Sequence, residues 1–113
     1  MILLREDTAM QFVQQPGKVV VKAWMDPCPY CVTFAPIFRE VAEEASDIRF
    51  GEIQFPWKGS SLFRITYMRA QPGQGGVPCV FLFEDGQFKK KIHGAVDKTA
   101  LKKFIGIEEV SHV

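Results

Sequence analysis

The chain has 113 residues, 47% of them apolar and 24% charged, which suits one globular domain built around a single core. A formal net charge of +1 gives no electrostatic case for nucleic acid or an anionic membrane as partner. Met1-Ile2-Leu3-Leu4 runs straight into Arg5-Glu6-Asp7, too short an apolar stretch for a signal peptide or a membrane span, so three cysteines are expected in the cytoplasm.

Ile2–Leu4 predicts a short strand. Asp7 or Thr8 offers an N-cap for a helix carrying Ala9, Met10, Phe12 and Val13, and Pro16-Gly17 stops it. The run Val19–Trp24 is β-branched and nearly all apolar, as expected of a strand covered on both faces. Asp26-Pro27 then turns the chain toward Cys28-Pro29-Tyr30-Cys31. A helix follows from about Pro29 to Ala45, with Phe34, Ile37, Phe38, Val41 and Ala45 recurring at helical spacing. Pro36 lies inside it and predicts a kink.

Asp47–Phe55 contains a strand whose apolar members, Ile48, Phe50, Ile53 and Phe55, break strict alternation. A short helix is predicted from Ser60 to about Arg69, and Gln71–Gly76 reads as a flexible loop. Val77–Phe83 is a strand, Glu84-Asp85-Gly86-Gln87 an Asp-Gly hairpin turn, and Phe88–Ile92 the antiparallel return. Its Lys89-Lys90-Lys91 marks a charge-protected edge strand. Asp97 caps the last helix, Val96 and Leu101 are spaced as a hydrophobic staple, and Gly106 ends it. The tail through Val113 has no periodicity and is expected to fray. This alternation predicts an α/β protein: a mainly parallel central sheet, helices on both faces, and an antiparallel pair to finish.

The chemistry centres on Cys28 and Cys31. Two cysteines separated by two residues close a small disulfide ring or hold a metal. A closed zinc site needs four ligands; here the remaining donors are Cys79, His93 and His112, all well separated. A purely structural disulfide is disfavoured in a reducing compartment. A helix starting at the pair points its free N–H groups and positive dipole end at Cys28, which stabilises the nucleophilic thiolate. The pair therefore reads first as a redox site.

Several separated motifs now resemble the thioredoxin family over nearly the whole chain. Trp24 stands four residues before the first cysteine, Cys28 and Cys31 match the redox pair, and Pro36 matches the proline of the active-site helix. Gly76-Val77-Pro78 resembles the cis-proline loop, and Gly86 and Gly94 match glycines of the terminal hairpin and the turn after it. Departures accompany the match: Pro29-Tyr30 replaces the usual Gly-Pro and is similar to glutaredoxins, and Pro27 replaces a second tryptophan. The glutaredoxin glycine-rich glutathione motif is missing, with Glu84-Asp85-Gly86 following the later strand.

The resemblance implies a thioredoxin fold, with a central mixed sheet flanked by helices on both faces, and a protein-disulfide oxidoreductase. Cys28 would attack the substrate disulfide and Cys31 would resolve the mixed disulfide. Trp24, Pro29, Tyr30, Val77 and Pro78 would meet substrate, and no cofactor is implied beyond the cysteine pair. The implied partners are disulfide-containing proteins and a reductase-type flavoenzyme, with glutathione as the alternative electron source and a non-catalytic binding module as the alternative role. A monomer is expected, with a potential between about −270 and −200 mV.

Lys22 reverses the sign of a buried acid that thioredoxins carry two residues before this tryptophan, and Glu52 falls near where they carry the facing lysine. A charge-swapped Lys22–Glu52 pair beneath Cys31 is the expectation, against a Lys22 that snorkels to solvent. Cys79, next to the cis-proline position, is expected to be a buried, inert thiol rather than a regulatory one.

Overall fold

A computed structural model describes residues 1–56, 60–68 and 76–107. The elements in chain order are β1 (Ile2–Leu4), α1 (Glu6–Phe12), β2 (Lys18–Trp24), α2 (Pro29–Glu44), β3 (Arg49–Gln54), a π-helical turn (Arg64–Met68), β4 (Cys79–Glu84), β5 (Gln87–His93) and α3 (Lys98–Ile105). The five strands form one sheet in the order β1-β3-β2-β4-β5. β1 and β2 both run parallel to β3, whereas β4 runs antiparallel to β2 and β5 antiparallel to β4. The sheet is thus evenly mixed rather than mainly parallel.

The register explains the core. Side chains alternate across a strand, so Val19, Val21 and Ala23 of β2 pack on one face with Ala9, Phe12 and Val13, around α1. Val20 faces the other side with Phe34, Phe38 and Val41 of α2 and Leu101 and Ile105 of α3. β2 lies at the centre of the sheet, and Val19 through Ala23 are all buried, which is why its sequence lacks polar alternation. β3 breaks alternation because Gly51 occupies an inward position. A Cβ there would come within 2.6 Å of Leu4 Cδ1 and 3.0 Å of the Phe12 ring, so the missing side chain makes room for β1 and α1.

Several boundaries differ from expectation. α1 begins at Glu6, before Asp7 and Thr8, because Thr8 acts from inside the first turn: its hydroxyl oxygen accepts the Arg5 N–H at 2.8 Å. β4 begins at Cys79 rather than Val77, since Pro78 has no N–H to give the ladder. The segment after β3 widens into a π-helical turn instead of a continuing α-helix. There the Glu6 carboxylate accepts the Ser61 hydroxyl and, at 3.1 Å, the Phe63 N–H, tying the segment to α1. The helix α2 continues through Pro36 without interruption. Asp85 and Gly86 form the hairpin turn with φ of 50° and 81°, the left-handed pair expected of an Asp-Gly hairpin. Asp97 accepts the Ala100 N–H at 2.8 Å, and Gly106 ends α3 at φ 87°. β5 is an edge strand and its three lysines line it: Lys90 lies over the Phe104 ring and Lys91 donates to the Met68 carbonyl. Expectations for Arg69, for loop positions 71–75 and for the tail from 108 fall outside the described residues.

Candidate active site

The site forms where β2 ends and α2 begins. β2 delivers Trp24, and after it the chain passes through a cis Asp26–Pro27 peptide, where the sequence predicts only a turn. Cys28 is the N-cap of α2. Its backbone is extended (φ −153°, ψ 101°), and its Sγ accepts the Cys31 N–H at 3.1 Å. Sulfur here does the work of a capping serine or aspartate oxygen. Pro29 sits at the first helical position, where a missing N–H costs nothing and its fixed φ suits the helix.

Cys28 and Cys31 are joined by a disulfide, with their Cα atoms 5.2 Å apart. Cys31 is buried and Cys28 half-buried, so Cys28 is the sulfur an incoming partner reaches first. Across from it stands Val77, whose peptide to Pro78 is cis. The Val77 carbonyl oxygen lies 3.7 Å from Cys28 Sγ, a contact that becomes a hydrogen bond once reduction gives the sulfur a proton to donate. Pro78 is buried and Val77 half-buried, while Pro29 is exposed and Tyr30 is 70% exposed beside the pair. Cys28, Cys31 and Val77 therefore come together, Pro78 backs them, and Tyr30 projects next to them.

Behind the disulfide lies a cavity of about 330 Å³ lined by Lys22, Trp24, Asp26, Cys31, Arg39 and Glu52, among others. Lys22 and Glu52 are directly opposed across β2 and β3. Their head groups are 3.2 Å apart, with only 3% and 5% of the side chains exposed, so Lys22 does not snorkel out. The contact is chiefly electrostatic, because among the described residues buried Oε1 of Glu52 has no partner in good hydrogen-bond geometry. Burial pulls the Lys22 pKa below its usual value, the charge and hydrogen-bonding capacity of Glu52 oppose that shift, and the Arg39 guanidinium adds to it. The Lys22 ammonium also rests over the Phe38 ring, 5.3 Å from its centroid.

Two residues on this cavity were missed by sequence reasoning. Arg39 was legible in principle: Cys31, Ala35 and Arg39 follow at four-residue steps and share a face of α2. Asp26 carried no such signal. Cys79 is fully buried, and desolvation pushes its thiol up to about 12, only partly opposed by Lys91.

A protein-family model described as Thioredoxin matches residues 1–106. The chain is 29% identical over 97 residues to a thioredoxin of Mycoplasmoides gallisepticum, covering 84% of this chain and 88% of that one. It is 28% identical over 93 residues to a thioredoxin of Allochromatium vinosum, covering 81% and 80%. Among solved structures, a chain from work on thiol resolution in yeast mitochondrial 1-Cys peroxiredoxin via glutathione/thioredoxin systems superposes with a TM-score of 0.76 at 22% identity, covering 94% of this chain and 93% of that one. Malassezia sympodialis thioredoxin superposes with a TM-score of 0.73 at 21% identity, covering 94% and 88%.

Two outcomes follow from the buried groups. Lys22→Met strands the Glu52 carboxylate and should cost about 3–5 kcal/mol in urea unfolding, whereas Lys22→Met with Glu52→Leu should recover most of that loss. Cys79 ionises near 12 in the fold against 9.0 unperturbed, so its stability contribution is intact below about pH 9 and is lost as pH rises toward 12. Mass-mapped alkylation of the reduced protein at pH 8 should therefore label Cys28 and leave Cys79 unmodified until the fold is opened.

Proposed function

The chain belongs to the thioredoxin family, and from that premise we propose that it is a thiol-disulfide oxidoreductase that reduces disulfides in other proteins. The observation that carries this reading is the placement of Cys28: half-buried, bonded to Cys31, and capping a helix with its own sulfur. A thiolate formed there accepts the Cys31 N–H and sits in the positive field of the α2 N-terminus, both of which favour the ionised form.

The exchange balances in two steps. The Cys28 thiolate attacks one sulfur of the substrate disulfide; that bond breaks, a Cys28–substrate disulfide forms, and the other substrate sulfur leaves as a thiolate. Cys31 then loses its proton and attacks Cys28 Sγ, expelling the second substrate thiolate and leaving the Cys28–Cys31 disulfide. Substrate gains two electrons and two protons. A flavoenzyme reductase of the kind thioredoxins use returns the pair to the dithiol. The reducing cytoplasm is the compartment that suits this cycle.

The resolving step needs somewhere for the Cys31 proton to go. Cys31 and Glu52 line the same cavity, and the Glu52 carboxylate, ion-paired with Lys22, is the acidic group beside Lys22 on that wall. We assign Glu52 as the acceptor of that proton. Lys22 is its counterion, so the thiolate forms next to an ammonium rather than in an all-anionic pocket. Trp24 walls the cavity beside them, and the exposed Tyr30 and Pro29 meet substrate beside the sulfur.

Insulin reduction with dithiothreitol tests the reading. Wild type should accelerate it and Cys28→Ser should fall to the uncatalysed rate, whereas equal rates would leave only a binding module. Cys31→Ser should accumulate a mixed disulfide. Turnover sustained by glutathione and glutathione reductase, but not by a flavoenzyme thioredoxin reductase, would reassign the electron donor. Glu52→Gln should slow resolution by about a hundredfold and move its pH midpoint upward, with Cys28 attack unchanged. An unaltered resolving rate in rapid-mixing measurements would remove Glu52 from the mechanism.

A further inference from the structure

His93 lies far from the cysteine pair in sequence, yet the fold brings it to the rim of the site. It is the last residue of β5 and the cross-strand partner of Cys79. Its Nδ1 lies 3.0 Å from the Gly76 carbonyl oxygen, and its Nε2 lies 4.0 Å from Cys79 Sγ. The next residue, Gly94, donates its backbone N–H to the Pro78 carbonyl at 2.8 Å. Consecutive residues at the end of β5 therefore hold the carbonyls on either side of Val77.

The chemistry of the partners fixes the ring. A carbonyl oxygen can only accept, so Nδ1 carries the hydrogen. In the neutral ring Nε2 is then the acceptor, and the neighbouring Cys79 S–H is the donor that suits it, over a long and weak contact. Cys79 stays protonated because it is buried. It serves as a fixed neutral donor rather than as a third redox thiol.

This clasp matters because residues 76–78 gain little from the sheet. The β2–β4 pairing ends at Ala23 opposite Cys79, and Pro78 has no N–H. The Val77 peptide, whose carbonyl faces Cys28, takes its position from the anchors on its two flanks. We propose that His93 is a positioning residue for protein substrates: through the Gly76 carbonyl it holds the Val77 peptide in place beside Cys28, where a substrate strand pairs with it. This role rests on the oxidoreductase reading above and adds to it a residue that selects polypeptide disulfides over small ones. A small aromatic disulfide needs only the sulfur, whereas a polypeptide also needs the Val77 edge.

The test compares the pre-reduced protein acting on insulin and on 5,5′-dithiobis(2-nitrobenzoate). His93→Ala should raise the insulin concentration giving the half-maximal single-turnover rate about fivefold to tenfold, the effect of one hydrogen bond, with the maximal rate, the rate on the small disulfide and Cys28 alkylation unchanged. His93→Asn, whose side-chain amide can replace Nδ1–H, should restore most of the loss. His93→Gln, whose amide lies one bond farther out, should not. Wild-type behaviour of His93→Ala, an equal loss on both disulfides, or failure of His93→Asn to recover would each overturn the positioning role. Failure of the wild-type protein on both disulfides would instead overturn the oxidoreductase reading.

Discussion

The site depends on one hydrogen bond: the Cys31 N–H donates to Cys28 Sγ at 3.1 Å, making the outer sulfur of the disulfide the capping atom of α2. Helix N-termini leave backbone N–H groups without partners, and a side-chain acceptor satisfies one of them. Using sulfur for that purpose ties two requirements together. The helix needs an acceptor at this position, and the proposed exchange needs an electron-rich sulfur; one atom answers both. Everything nearby then follows from where α2 begins. Cys31 falls one turn inside, over the cavity, and Ala35 and Arg39 continue that face along its wall.

The second constraint comes from the sheet. β2 is covered on both faces, so any ionisable side chain in its middle enters an apolar interior. Lys22 does so, with Glu52 directly across from it on β3. Compared with the family pattern, the positive charge has moved to the strand preceding the cysteines and the negative charge to its neighbour. The electrostatic surroundings of Cys31 change accordingly, with an ammonium and a guanidinium on the cavity wall together with two carboxylates.

Much of this was legible in the sequence, and the unequal success has physical reasons. Elements with strong local signals emerged where expected: the β-branched run of β2, the Asp-Gly hairpin, and α3 between its Asp97 cap and Gly106. The cysteine pair and the proline inside α2 were recognisable because their chemistry is local in the chain, whereas the cis-proline position came through family likeness. The Lys22–Glu52 pairing was legible only through family likeness, since strand register is a long-range property. Misplaced boundaries had local causes that the residue types did not reveal. Thr8 bonds back to Arg5 instead of starting the helix, and β4 waits for the first residue after Pro78. The π-helical turn at Arg64 arises from tertiary anchoring by Glu6, beyond the reach of any window of sequence. His93 was missed for the same reason, as its meaning comes from Gly76 and Cys79, both more than ten positions away.

The opposition of Lys22 and Glu52 also bears on how the sheet finds its arrangement. β2 is so uniformly apolar that its side chains alone distinguish poorly between neighbouring alignments with β3. A slip by one position would set Lys22 against Gly51 or Ile53 and Glu52 against Val21 or Ala23, flipping every side chain to the opposite layer. Two unmatched charges would then be trapped among hydrocarbon. The pair thus penalises misaligned sheets even where it adds little to the stability of the correct one.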